Sequence, residues 1–165
     1  MLPGEAATVG DLRVGAYQAQ DHLAGSPGYA DTLRTLGLDG HGTILVAADD
    51  PGSTEELGGT GELLGTVMLE PWHTDSEVAR SADEAEVRAL AVAPWAQGRG
   101  VGRTLMRSVI DEAAARGAAR LLLSTQPGME AAQHLYRSLG FTRTPELDWT
   151  PVPGVTLLGF ALPLA

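Results

Sequence analysis

Gln97-Gly98-Arg99-Gly100-Val101-Gly102 joins an alternating apolar segment to one with helical periodicity. Upstream, residues 85–93 place Val87, Ala89, Ala91 and Ala93 on one face of an extended strand and Glu86, Arg88, Leu90 and Val92 on the other, until Pro94 ends the run. Downstream, Val101, Leu105, Met106, Val109, Ile110 and Ala113 recur at the spacing of one helix face. A glycine turn that opens a helix is an anion seat, because the first helical turn has unpaired N–H groups and carries the positive end of the helix dipole. Glycines there let the chain turn sharply and let a phosphate approach the amides.

Spacing removes two readings of this loop. A P-loop needs Lys-Ser/Thr after its last glycine, whereas Gly102 is followed by Arg103-Thr104 and the chain has no lysine. A dinucleotide fingerprint needs a glycine three residues after the second one, and Leu105 or Arg103 stands at that spacing. The pattern left is Gln/Arg-x-x-Gly-x-Gly/Ala, with a bare strand-to-helix turn as its ligand-free alternative. A second block, Ala132-Gln133-His134-Leu135-Tyr136-Arg137-Ser138-Leu139-Gly140-Phe141, follows in the chain. Met129, Ala132, Leu135, Tyr136 and Leu139 share a helical face there, and Gly140 suits the residue that ends a helix.

Together the two blocks, spanning residues 86–141, resemble the Gcn5-related N-acetyltransferase (GNAT) family. The resemblance implies a mixed α/β sheet, with antiparallel N-terminal strands and parallel central strands flanked by helices. It implies acetyl-CoA as cosubstrate, held by Gln97, Gly98, Arg99, Gly100, Val101, Gly102 and Arg103 and by the strand at Leu90, Ala91 and Val92. The strand is expected to splay after Leu90 and free amides for the acyl oxygen and the pantetheine arm. Tyr136 is implied as the acid that protonates the departing thiolate; a core aromatic is its plain alternative. One departure is Met129, where the family often carries Asn. Another is the first strand, which normally precedes the first helix. Only residues 1–7 remain for it and Pro3-Gly4 opposes a strand, so either the sheet lacks it or the start lies inside a longer reading frame.

An ammonium is no nucleophile, so transfer to nitrogen needs a base. Glu86 is the candidate, on the strand that leads to the loop; a strand-edge carboxylate paired with Arg88 is the alternative reading. With no cysteine in the chain, an acyl-cysteine route is closed and direct attack on the thioester is the simpler course. The four histidines show no ligand spacing, so no metal is expected. Residues 144–154 read as a proline-stiffened lid, in which Trp149 with Asp148 and Glu146 forms a pocket for an ammonium or else Trp149 fills the lid's own core.

The 165 residues suit one domain. Acidic and basic residues are unevenly spread: residues 1–86 carry 16 Asp/Glu against 3 Arg, and residues 87–165 carry 5 against 8. The net charge of −10 argues against nucleic acid. The acidic half serves either to attract a cationic amine or simply to keep the chain soluble. No apolar run approaches the roughly 20 residues of a membrane helix and the N-terminus lacks a charged signal start, so the chain is expected in the cytoplasm without a membrane partner. The expected partner is a small-molecule or peptide amine, with a homodimer left open. An inactive acyl-CoA sensor is the alternative function.

Around the core blocks the pattern predicts helices over 8–20 and 30–36 with a turn at 25–28 between them, a strand over 43–48, an acidic loop over 49–61, a strand over 62–70 and a mobile loop over 71–84. Beyond the glycine turn it predicts a helix over 101–116, a strand over 120–125, a helix over 129–139 and strands over 141–143 and 155–164. Two successive β-α-β units imply parallel central strands.

Overall fold

The computed structural model of the protein describes residues 5–23, 28–49 and 62–164. The expected turn at 25–28, apart from Gly28, and the acidic loop, apart from Asp49, lie outside the described residues, as do residues 1–4. Among the described residues the chain therefore begins with a helix, α1 (Glu5–Ala19), followed by α2 (Tyr29–Thr35). The sheet strands are β1 (Thr43–Ala48), β2 (Leu63–Pro71), β3 (Glu84–Val92), β4 (Arg120–Thr125), β5 (Thr142–Arg143), β6 (Trp149–Val152) and β7 (Val155–Pro163). Helix α3 (Val101–Ala115) links β3 to β4, and α4 (Glu130–Ser138) follows β4. Among the described residues no helix is long and apolar enough to cross a membrane.

The sheet order is β1-β2-β3-β4-β7-β5, with β6 paired to β7. Among the described residues only β3 and β4 pair in parallel, and every other ladder is antiparallel. The second β-α-β unit does leave β5 running in the same direction as β4, but the two are not neighbours: β7 inserts between them, antiparallel to both. Six residues of β7, including Phe160 and Ala161, pair along β4, whereas β5 offers only two. The longer apolar ladder takes the buried position and leaves the two-residue strand at the edge.

Leu121 and Leu123 of β4 and Phe160 of β7 meet α3 through Leu105, Met106 and Val109, with Tyr136 of α4 in the same cluster. On α1, Val14, Ala16 and Tyr17 pack with Leu33 of α2 on Ala91. A third cluster holds Leu122 and Ala161 under Val78, Ala79 and Leu147. That cluster changes the reading of residues 71–84 and 144–154. Val78 and Ala79 are buried rather than lying on a free loop, and the expected lid contains a 3₁₀ turn, Pro145–Leu147, and the strand β6, which forms a hairpin with β7.

Candidate active site

Two irregularities in β3 open the sheet. Its ladder with β4 runs only from Glu84 to Glu86, so the splay begins four residues before the expected point at Leu90. On the other side, the register against β2 steps from Met68↔Arg88 to Thr66↔Ala91, a bulge of one extra residue in β3. Ala89 within it has φ 52, a left-handed conformation that costs a side-chain-bearing residue roughly 1–3 kcal/mol and is typical of functional sites. The bulge also corrects the face assignment of this strand. Ala85 and Val87 belong to the α3 side, Ala91 packs on α1, and Leu90 and Val92 pack on the α3 side, so they no longer share a face with Glu86 and Arg88.

The splay holds two cavities that meet at Tyr17, Leu90 and Met129. The first, of 410 Å3, is lined by Leu90, Ala91, Val92, Gln97, Gly98, Gly100, Val101, Gly102 and Arg103. Of the residues the sequence assigns to the cofactor, only Arg99 lies elsewhere, its Nη2 3.2 Å from Asp49 Oδ1. Gly98 and Gly100 have φ 79 and 78 with nothing within 4 Å of an added Cβ, so backbone conformation and not crowding calls for glycine. Gly100 is the N-cap of the 15-residue α3 and no side chain caps that end. Arg103 donates to Ser138 Oγ at 2.9 Å and ties α3 to α4 beside the cleft.

The second cavity, of 570 Å3, is lined among others by Tyr17, Tyr29, Glu77, Arg88, Tyr136 and Trp149. The Tyr136 ring is held by Phe141 and Phe160 at centroid distances of 6.0 and 6.2 Å. Burial, with a smaller contribution from Tyr29, pushes its phenol well above the ordinary range, so it stands protonated as a donor. Met129, in the place of the family's Asn, gives the junction an apolar wall, and its sulfur accepts the Thr125 hydroxyl at 3.4 Å.

Glu86 is not on the lining of either cavity. Its Oε1 accepts the N–H groups of Val78 and Ala79, which pins that segment over the sheet, and its Oε2 is buried without a hydrogen bond. The carboxylate that does line the second cavity is Glu77, which sequence reading missed because residues 71–84 have no periodicity to single out one acid among several. Glu77 Oε1 receives Arg88 Nη2 at 2.5 Å, and Arg88 Nη1 lies 3.2 Å from Glu70 Oε2. Tyr17 and Tyr29 have rings 6.0 Å apart; Tyr17 is legible in the sequence as an apolar position of the first helix, whereas Tyr29 falls one residue before the predicted second helix.

Trp149 is on the lining of this cavity and donates Nε1–H to Ser124 Oγ at 3.3 Å. Asp148 does not line it, and its expected role is corrected: Arg143 takes both of its oxygens, at 2.6 and 2.5 Å, and the Gly159 N–H donates to Oδ1 at 2.8 Å. Those bonds, Arg143 first, hold the Asp148 carboxyl below the usual carboxylate range. Its stabilising contribution is therefore complete above the unfolded value of about 3.9 and is lost as pH falls through the lower folded value. Asp148→Asn should destabilise the fold by about 1–2 kcal/mol near neutral pH in urea unfolding, with the gap to wild type closing in acid. A gap that persists unchanged at low pH would remove the ion pair as its cause.

The sequence model of the Acetyltransferase (GNAT) family matches residues 14–141, and the chain belongs to that family, whose members use acetyl-CoA. It is 33% identical over 106 residues to streptothricin acetyltransferase of Streptomyces lavendulae, covering 59% of this chain and 56% of that protein. It is 46% identical over 59 residues to [ribosomal protein bS18]-alanine N-acetyltransferase of Escherichia coli (strain K12), covering 36% and 40%. These alignments span little more than half of the first relative and less than half of the second. A GNAT-family structure from Desulfovibrio desulfuricans superposes with a TM-score of 0.73 at 19% identity, covering 99% of this chain and 95% of that one, a likeness of fold.

Proposed function

We propose that the protein is an acetyl-CoA-dependent N-acetyltransferase acting on a primary amine by direct attack on the thioester. The observation that carries this reading is the meeting of the two cavities at Leu90 and Met129, with an uncapped helix N-terminus on one side and the protonated Tyr136 on the other. The amides of residues 98–102 and Arg103 suit a pyrophosphate, and the edge of β3 at residues 90–92 that β4 leaves unpaired suits the amides of a pantetheine arm. Bound there, acetyl-CoA supplies an activated acyl group. The amine nitrogen, once deprotonated, attacks the carbonyl; a C–N bond forms as the C–S bond breaks, and Tyr136 gives the sulfur its proton. Backbone N–H groups of the bulge polarise the acyl oxygen.

The two relatives named above differ in the acceptor of their names, streptothricin in one and an alanine of ribosomal protein bS18 in the other. Thiol release from acetyl-CoA, measured with small amines and with peptides bearing a free N-terminus, tests the reading. Amine-dependent release with at least one of the two groups is expected. Cofactor binding without release from either would remove the transferase assignment.

A further inference from the structure

We propose that Glu77 seats the incoming ammonium and accepts its proton, and that the acceptor is a primary amine carried on a flat apolar body; this rests on the acetyl-transfer reading above. Glu77 and Arg88 are the charged side chains on the lining of the acceptor cavity. Arg88 is already engaged by Glu70 and Glu77, while among the described residues no hydrogen bond reaches Glu77 Oε2. Much of the remaining lining is apolar or aromatic, with Tyr17, Tyr29, Trp149, Val155 and Leu157. One cation at the end of an apolar body satisfies both halves of such a cavity. A polyamine would press a second cation against the apolar wall, where it has no counter-charge.

The charges around Glu77 leave room for that cation. Strand β3 supplies Arg88 and Glu86, and β2 supplies Glu70. His73 Nε2 lies 3.2 Å from Glu70 Oε1 without hydrogen-bond geometry, α2 supplies the Tyr29 phenol, and α1 supplies Arg13. Arg13 is committed to backbone, its Nη1 donating to the carbonyls of Leu33 and Leu36. Glu70, Glu77 and Glu86 stand there with the two guanidiniums of Arg88 and Arg13, and an ammonium seated at Glu77 adds a cation to that group. Burial raises the Glu77 carboxyl, Arg88 opposes it, and Glu86 and Glu70 add to it, which makes Glu77 a stronger base than an exposed carboxylate.

Glu86 takes a different part. By accepting the N–H groups of Val78 and Ala79 it fixes the chain immediately after Glu77, so it is a positioning residue for the base. The protons balance. One leaves the ammonium for Glu77 and then goes to solvent; a second leaves the nitrogen as the amide forms and restores the proton that Tyr136 gave to sulfur.

Calorimetric titration of the full chain with 2-phenylethylammonium, its neutral analogue 2-phenylethanol, and spermidine tests the seat without relying on turnover. Wild type should bind the aromatic cation at least about tenfold tighter than the alcohol and tighter than spermidine. Glu77→Gln should erase the preference for the cation, and Glu86→Gln, whose amide oxygen can still accept the two N–H groups, should keep it. Absence of phenylethylammonium binding, tighter binding of spermidine, or a preference that survives Glu77→Gln would overturn the proposal. A pH profile of kcat/KM for phenylethylamine separates the two carboxylates kinetically. Its acid limb should lie above the usual carboxylate range, vanish in Glu77→Gln and persist in Glu86→Gln, and the reverse pattern would make Glu86 the base. If the cation seat depends on Glu77 but no thiol is released, the seat stands and the transferase reading fails. If thiol is released with an unaltered acid limb in Glu77→Gln, the transferase reading stands and this inference falls.

Discussion

Tyr136→Phe is expected to lower kcat by roughly 10²- to 10⁴-fold while leaving acetyl-CoA affinity within a few-fold of wild type. The phenol lies on the acceptor side of the junction, and its ring keeps the same packing against Phe141 and Phe160 when the hydroxyl is removed. The loss should therefore fall on the chemical step and not on binding or folding. A pH signature accompanies it. Because burial raises the phenol, its acid form persists beyond the ordinary value of about 10, so the alkaline limb of the wild-type kcat profile should not fall below that value on account of Tyr136. A kcat unchanged in the Phe variant, or a loss confined to KM for acetyl-CoA, would take the acid role away from Tyr136.

The second large effect concerns the glycine loop. Acetyl-CoA at about 100 Kd should stabilise the fold by about 2.7 kcal/mol, a melting shift of roughly 5–10 °C for a chain of this size. Gly100→Asp should abolish that shift, since its carboxylate would stand at the N-terminus of α3 where a pyrophosphate belongs. Backbone strain is a competing cause, because Gly100 has φ 78. Gly100→Asn separates the two: Asn tolerates the left-handed conformation and carries no charge. The Asn variant should retain most of the shift, and equal loss in both variants would point to strain alone.

Much of this architecture was legible because it is periodic or punctuated. The strands over 43–48 and 120–125 have the bounds that their apolar runs indicate, and α3 begins at Val101 directly after the glycine turn. Apart from Arg99, the residues of the glycine loop line one cavity, because a turn that opens a helix is fixed by local geometry. What escaped is set by distant partners. The insertion of β7 beside β4 depends on a ladder between segments some forty residues apart, of which neither segment alone carries a trace. The bulge at Ala89 was hidden because left-handed backbone is normally marked by glycine or asparagine, and here alanine is forced into it. Asp148 read as a pocket acid because its ion pair with Arg143 closes across the 3₁₀ turn Pro145–Leu147, a geometry that the residue types alone do not show. Glu77 could be told from its acidic neighbours only once Val78 and Ala79 were seen anchored on Glu86.

Single-turnover transfer from acetyl-CoA labelled in its acetyl group, with products resolved by mass spectrometry, bears most directly on the claim of direct N-acetylation. The cavity arrangement predicts label on the acceptor nitrogen, coenzyme A released as free thiol, and no acetylated form of the protein at any time in the turnover. Label that stays on coenzyme A across small amines and peptide N-termini, despite saturable acetyl-CoA binding, would contradict it and leave the chain as an acyl-CoA sensor.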